Sequence, residues 1–420
     1  VRHPDYHRRV VVTGLGVVSP VGNDVETAWD NLVHGRSGIG MITRFDVTPY
    51  EHKAGGEVKD FDPTAWLDAK AVRRSSRELH WGVAAAKQAV ADAGLEITDA
   101  NRTEVGVVFG SGSGGQQLFI EQMAILKTKG PRFVSPTFIA NGLVDSTSGM
   151  IAIETGAIGY NACVVTACST GTSCVGEAAE LIRRGDCVAV IAGSTENALL
   201  EIAHAGFANM RGLGSPRPGF PISDVSRPFD RTRDGFVLGE GAAALILEDL
   251  EYAKARGARI YAEVVGYGAA ADGWDMIQPV EGGAGSARAM RWALERRGVP
   301  PDEVDLINPH GTSTPLGDQR EAEAIWSVFG AHTREIAISA TKSMTGHMMG
   351  AAGAFEAVAT VLSVYHQCVP PTINYLEPDP ACDLWVVTEA TPLRIRYALS
   401  NNIGLGGHNG AIVFKRYGGD

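Results

Sequence analysis

Hydrophobic positions along the chain fall into two alternating textures. Short β-branched runs predict strands: RRVVVTG (8–14), EVGVVFGSG (104–112), CVVTAC (163–168), DCVAVIAGS (186–194), AAALILE (242–248), RIYAEVVGYG (259–268), VDLINPHG (304–311), EIAISATKS (335–343) and GAIVFKR (410–416). Between them, ELHWGVAAAKQAVADAG (78–94), SARAMRWALERRG (286–298) and GAAGAFEAVATVLSVYHQ (350–367) carry helical spacing. Alternation of this kind implies an α/β fold, with helices flanking largely buried sheets. No low-complexity linker divides the chain. The weakest seam is EYAKARGARIY, where a charged helix ends at Gly257 and a new strand begins. It separates two α/β halves of unequal size, 1–256 and 257–420. Each is expected to turn strand ends toward a shared site, because open α/β sheets bind ligands at the carboxyl ends of their strands.

Composition narrows the partners. With 420 residues and 45% hydrophobic content, the chain can bury a large core. Its formal charge is -11 and it has no Lys/Arg run, which argues against nucleic acid and leaves room only for a local basic patch. Six cysteines without a CxxC pair argue against a disulfide framework or a zinc ribbon, and point to a reducing compartment. The opening VRHPDYHRRVVVTGLG is charged and soon broken by glycine, unlike the apolar core of a signal peptide. The longest apolar tract, MMGAAGAFEAVATVLSVY, carries Glu356 and many small residues, so it reads as a buried helix rather than a membrane span. A cytoplasmic protein without a membrane partner is expected.

Three stretches invite chemistry. GSGSGG, from Gly110 to Gly115, fits a dinucleotide fingerprint, but Lys129 and Gly130 stand near the place where an acidic residue is required; a tight turn beside a cavity is the better reading. In CVVTACSTGTSCVGEAAELI, apolar Val175, Ala178, Ala179 and Ile182 define a helix face beginning at about Ser169. Cys168 therefore stands at a helix N-terminus, where unpaired N–H groups and the helix dipole favour thiolate. Cys163, Cys174, Cys187, Cys368 and Cys382 lack that setting and read as small buried hydrophobes. Two later strand ends supply His310, in VDLINPHGTSTPLGD, and Lys342 with His347, in ISATKSMTGHMMGAAG. A thiol nucleophile needs neighbours that steer protons and stabilise oxygen charge, and imidazoles suit both tasks.

TACSTG, HGTSTPLGD, KSMTGHMMGAAGAFE and NNIGLGGHNG, in this order behind RRVVVTGLGVVSPVGND, resemble the elongating Cys-His-His β-ketoacyl-acyl-carrier-protein synthases across nearly the whole chain. The resemblance implies a thiolase-like five-layer αβαβα fold made of two similar halves. It implies a catalytic centre of Cys168, His310 and His347, supported by Lys342 and Glu356. Leu405 and Ile403 fall at the oxyanion-hole and gating turn, and Thr312 and Thr314 at the pantetheine arm. Ser113, Phe207 and Ile277 are the expected acyl pocket; Lys70, Arg73, Arg74 and Arg211 are the expected carrier-protein contacts at its mouth. No cofactor or metal is implied, since the substrates travel on the phosphopantetheine of an acyl carrier protein. The implied reaction is decarboxylative condensation of an acyl chain on Cys168 with malonyl carrier protein.

The chain also departs from that pattern. Ile403 and Leu405 stand where fatty-acid enzymes have phenylalanines, Ile277 and Gln278 replace a polar pair near the arm, and Ser113 replaces a common isoleucine. These changes predict altered acyl selectivity, with polyene or polyketide intermediates as candidates. Two readings stay open: a fatty-acid-type elongating homodimer, or the ketosynthase subunit of a dissociated polyketide or polyene system, paired with a chain-length-factor-like subunit. Cys168 disfavours the nucleophile-free partner subunit itself, and His347, standing where a thiolase has a second cysteine, disfavours a degradative thiolase.

Overall fold

The computed structural model describes residues 8–418, so the first seven residues of the charged opening lie outside the described residues. One continuous 11-stranded sheet is built from β1 (Val10–Val18), β2 (Val105–Gly110), β3 (Asn161–Ala162), β4 (Ala189–Glu196), β5 (Gly241–Asp249), β6 (Ala262–Ala271), β7 (Val304–Asn308), β8 (Ala337–Ile338), β9 (Trp385–Val386), β10 (Tyr397–Gly404) and β11 (His408–Lys415). Across it the strands run β9-β8-β7-β10-β11-β6-β1-β5-β4-β2-β3. Outward from the centre, β1-β5-β4-β2-β3 and β6-β11-β10-β7-β8 repeat one pattern, antiparallel twice and then parallel twice. The halves meet where Val10, Val11 and Val12 pair with Val264, Glu263 and Ala262.

The helices fill the layers. They are α1 (Arg77–Ala93), α2 (Gln116–Lys129), α3 (Ser146–Thr155), α4 (Thr170–Arg184), α5 (Glu201–Asn209), α6 (Ala284–Glu295), α7 (Pro315–Phe329) and α8 (Ala352–His366). Helix α1 covers the outer face of one half-sheet and α6 that of the other, while α4 and α8 pack on each other between them. Strand β5 shows why its sequence is apolar throughout: Ala243, Leu245 and Leu247 join the central core with α4 and α8, whereas Ala242, Ala244 and Ile246 join the core under α1. The outer helices lie so close that a methyl on Gly16 would be 1.9 Å from Ala85 O, and one on Gly266 would be 1.9 Å from Ala293 O. This is the thiolase-like αβαβα architecture of two similar halves.

Two predicted strands are shorter than their apolar runs. From CVVTAC the ladder keeps only Asn161–Ala162 before it; Val164 O then passes over the end of β2 at Gly110, and Thr166 N–H turns to the Thr170 hydroxyl at 2.9 Å. From EIAISATKS only Ala337–Ile338 pairs. The other predicted strands and the three long helices are present. Among the described residues no helix is long and apolar enough to cross a membrane.

Candidate active site

Cys168 lies in a 3-10 turn, Ala167–Ser169, that leads directly into α4. The turn is sharp: Ala167 has φ 51, a left-handed conformation costly for a residue with a side chain. Ser169 fastens it by donating to Thr166 O at 2.8 Å. The sulfur is 5% exposed. Burial pushes its pKa up to about 11, against the pull of a hydrogen bond from the Leu405 backbone N–H and of the Lys342 charge. The expectation of a thiolate favoured by the helix end is thereby corrected, because desolvation outweighs every group that stabilises the anion.

The imidazoles come from the other half. His310 follows β7, where Glu321 on α7 accepts the backbone N–H groups of His310 and Gly311 at 2.6 and 2.7 Å. His347 precedes α8, its N–H donated to Val237 O at 2.6 Å. The rings meet edge to face, centroids 5.2 Å apart, and Phe236 stacks edge-on against His347 at 5.6 Å. Behind them Lys342 and Glu356, each 1% exposed, form an ion pair. Burial, reinforced by the Lys342 charge, holds both histidines well below their ordinary pKa, so they are neutral. Asn402 donates to Glu356 Oε2 at 2.7 Å and contacts His310 Nδ1 at 3.3 Å, while its own oxygen takes the Thr172 hydroxyl. With the amide so oriented, His310 Nδ1 accepts and Nε2 carries the proton. The halves touch closely here: a methyl on Gly171 would lie 2.2 Å from Ala354 N.

Cys168 opens onto two cavities. One, of about 370 Å³, is lined by Cys168, His310, His347, Thr312, Thr314, Arg211, Ile403 and Leu405 among others. The Thr312 and Thr314 hydroxyls are 3.1 Å apart. The second, of about 360 Å³, runs past Cys168 to Ser113, Gln116, Glu196 and Phe207. Phe207 and Leu405 border both. Ile277 does not join Ser113: it lines the first cavity at its mouth and is 53% exposed, which corrects its assignment to the acyl pocket. Its loop follows β6, and Met276 O accepts the Gly406 N–H at 2.9 Å, so the loop belongs with the Gly404–Gly407 turn rather than with the acyl wall. Lys70, Arg73 and Arg74 are exposed on the Ala69–Val72 turn, whose Ala71 and Val72 pack on the core under α1; none of the three lines either cavity.

Sequence reasoning missed Asn402, Glu321 and Glu196. Asn402 was inside a quoted motif but was read for its glycines. Glu196 ends the buried run AVIAGSTE, and a carboxylate closing an otherwise uncharged strand was the available signal. The GSGSGG turn holds no nucleotide phosphate here; its N–H groups face Glu196.

Two family descriptions match the chain: "Beta-ketoacyl synthase, N-terminal domain" over residues 7–253 and "Beta-ketoacyl synthase, C-terminal domain" over residues 261–376. A 3-oxoacyl-[acyl-carrier-protein] synthase 2 of Synechocystis is 48% identical over 411 residues, 98% of each chain. Its counterpart in Staphylococcus aureus is 45% identical over 412 residues, 98% of this chain and 99% of the relative. Among solved structures, the ishigamide ketosynthase/chain length factor superposes with TM-score 0.90 at 36% identity, covering 98% of this chain and 100% of that one. A type II PKS acyl-carrier protein in complex with its ketosynthase, AntDE:AntF, gives TM-score 0.88 at 32% identity, covering 97% and 99%.

Proposed function

This chain belongs to the β-ketoacyl synthase family, and from that premise we propose that it lengthens an acyl chain by decarboxylative Claisen condensation with malonyl carrier protein. The observation that carries the reading is the convergence of Cys168, His310 and His347 on one cavity, with the Lys342–Glu356 pair behind the rings. In the first half-reaction Cys168 sulfur attacks the carrier thioester; the carbon–sulfur bond to pantetheine breaks, and the thiol proton leaves with the pantetheine sulfur. The developing oxyanion is held by the backbone N–H groups of Cys168 and Leu405, a kind of donor whose removal costs about 2.7–4 kcal/mol of barrier.

In the second half-reaction the malonyl thioester loses carbon dioxide and its carbonyl becomes an enolate. Two neutral imidazoles can each donate an N–H to that oxygen, and His310 is already set with its Nε2 proton forward. Lys342 keeps them uncharged through its field, and Glu356 neutralises Lys342 so that the pair can stay buried. The carbanion then attacks the acyl-cysteine, returning the Cys168 sulfur and releasing a β-ketoacyl chain two carbons longer. We assign the pantetheine arm to Thr312 and Thr314, gating to Ile403 and Leu405, acyl binding to Ser113 and Phe207, and carrier docking to Arg211 with Lys70, Arg73 and Arg74. No organic cofactor or metal enters this scheme. The nucleophile thus comes from residues 1–256 and the enolate site from 257–420. All six cysteines are free, which supports a cytoplasmic setting.

A second reading, the ketosynthase subunit of a polyketide or polyene system, is favoured by Ser113, Ile403 and Leu405 and by the likeness to the ishigamide and AntDE structures. Both readings need a second subunit, and an exposed apolar face supplies a place for one: Phe119, Phe133, Ile139, Leu143, Ile158 and Tyr160 are each 49–65% exposed around the edge strand β3. Purified protein, incubated with acyl and malonyl carrier proteins and followed by product mass, tests the reaction; extension alone supports a homodimer, extension only with a co-purifying subunit supports the second reading, and none in either case refutes both.

A further inference from the structure

Both substrates of the proposed reaction arrive as carrier thioesters, and both can reach the same sulfur. One must load onto it; the other, ending in a carboxylate, must not. The wall of the acyl cavity holds a group suited to that distinction. Glu196, 2% exposed, closes β4 beside Cys168. Its Oε2 accepts the N–H of Gly112 at 2.7 Å and of Gly350 at 3.2 Å. Its Oε1 accepts the N–H of Ser113 at 3.1 Å and the Ser111 hydroxyl at 3.2 Å, and also takes the Ser113 hydroxyl. Every partner is a donor, and the three backbone N–H groups have nothing with which to accept a proton. Burial raises the Glu196 carboxyl and these donors oppose it. No lysine, arginine or histidine lines this cavity. The site is built around the charge: a methyl at Gly350 would stand 2.5 Å from Glu196 Oε2, and one at Gly112 would stand 2.6 Å from it.

We infer that Glu196 is a specificity-determining residue which keeps anionic acyl chains, the malonyl group among them, off Cys168 by placing an uncompensated carboxylate in the acyl cavity. Like charges brought together in a water-poor cavity repel strongly, whereas neutral chains meet mostly apolar wall from Ala198, Ala203, Phe207 and Met349. The malonyl chain is thereby left to the imidazole cavity, where its carboxylate departs. The inference rests on the condensation reading and deepens it.

The test loads carrier protein with three chains of matched length, hexanoyl, adipoyl and ω-aminohexanoyl, and follows acyl-enzyme formation at Cys168 of the intact protein by mass in a single turnover. Charge exclusion predicts that adipoyl transfers at least about 100-fold more slowly than ω-aminohexanoyl, although both ends are equally strange to an apolar tunnel. Equal rates for the two charged chains would show that apolarity alone excludes them and would overturn the inference, as would adipoyl transfer as fast as hexanoyl. In E196Q the adipoyl to ω-aminohexanoyl ratio should rise at least about tenfold, read as a ratio so that a general loss of rate does not enter; an unchanged ratio would overturn the assignment to Glu196. Should E196Q fail to fold, the three-chain series on the unaltered protein decides. Failure of hexanoyl to transfer at all would overturn the condensation reading, and this inference with it.

Discussion

At the start of α4 the chain presents a sulfur, carried on the Ala167–Ser169 turn; at the start of α8 it presents an imidazole, carried ahead of the Met349–Ala351 turn. The two helices occupy matching places in two half-sheets of the same connectivity. Their surroundings differ. Around Cys168 the only charge in the acyl cavity is the Glu196 carboxylate, held by N–H and hydroxyl donors. Around His347 and His310 the dominant charge is Lys342, paired with Glu356. A repeated scaffold thus fixes where reactive groups stand, and the buried charge behind each one decides what it does: one side receives a neutral chain, the other makes and holds an enolate.

The comparison is broken most directly by removing the nucleophile. Cys168→Ala should lower condensation by at least about 10³-fold while malonyl decarboxylation persists, since the imidazole side is intact; product mass and carbon dioxide release measure the two separately. His347→Ala or His310→Ala should do the reverse, preserving acyl-enzyme formation and reducing condensation by about 10²–10³-fold. The charge behind the rings is probed by Lys342→Met combined with Glu356→Gln, which avoids leaving one buried charge alone. Because Lys342 lowers the pKa of both histidines and of Cys168, its loss should raise all three. The acid limb of the condensation profile should then move to higher pH, and the rate near neutrality should fall about tenfold. In the unaltered protein, a thiol at about 11 implies that alkylation of Cys168 accelerates with pH through the neutral range without a plateau; a plateau near neutrality would refute the burial argument. The smallest effect is expected on the arm: Thr312→Val should raise KM for carrier substrates by about threefold to tenfold, the worth of one hydrogen bond, with kcat nearly unchanged.

Much of this was legible in the chain itself. The long helices 77–93 and 352–366 declare themselves by apolar spacing, and the fully buried strands by unbroken β-branched runs. Cys168, His310 and His347 stand out because each follows an apolar run at a break of small residues. What could not be read is set by tertiary neighbours. The cradle around Glu196 takes donors from residues 111–113 and 350, remote in sequence, and so looked like an isolated glycine-rich turn. The thiol's raised pKa depends on burial that no local spacing reveals. Ile277 was assigned by position in a motif, but the hydrogen bond between Gly406 and Met276 ties its loop to the cavity mouth instead.

The crossing of α4 and α8 carries one more consequence. With Gly171 facing Ala354 N at 2.2 Å from an added methyl, and Gly353 facing Thr172 N at 2.5 Å, the two lobes mesh at a point that tolerates no side chain from either. Grafting the first lobe of one homologue onto the second lobe of another should therefore yield a working hybrid only when both glycines are kept. Drift elsewhere along the seam is absorbed by repacking, so exchange of lobes between lineages hinges on this single knuckle.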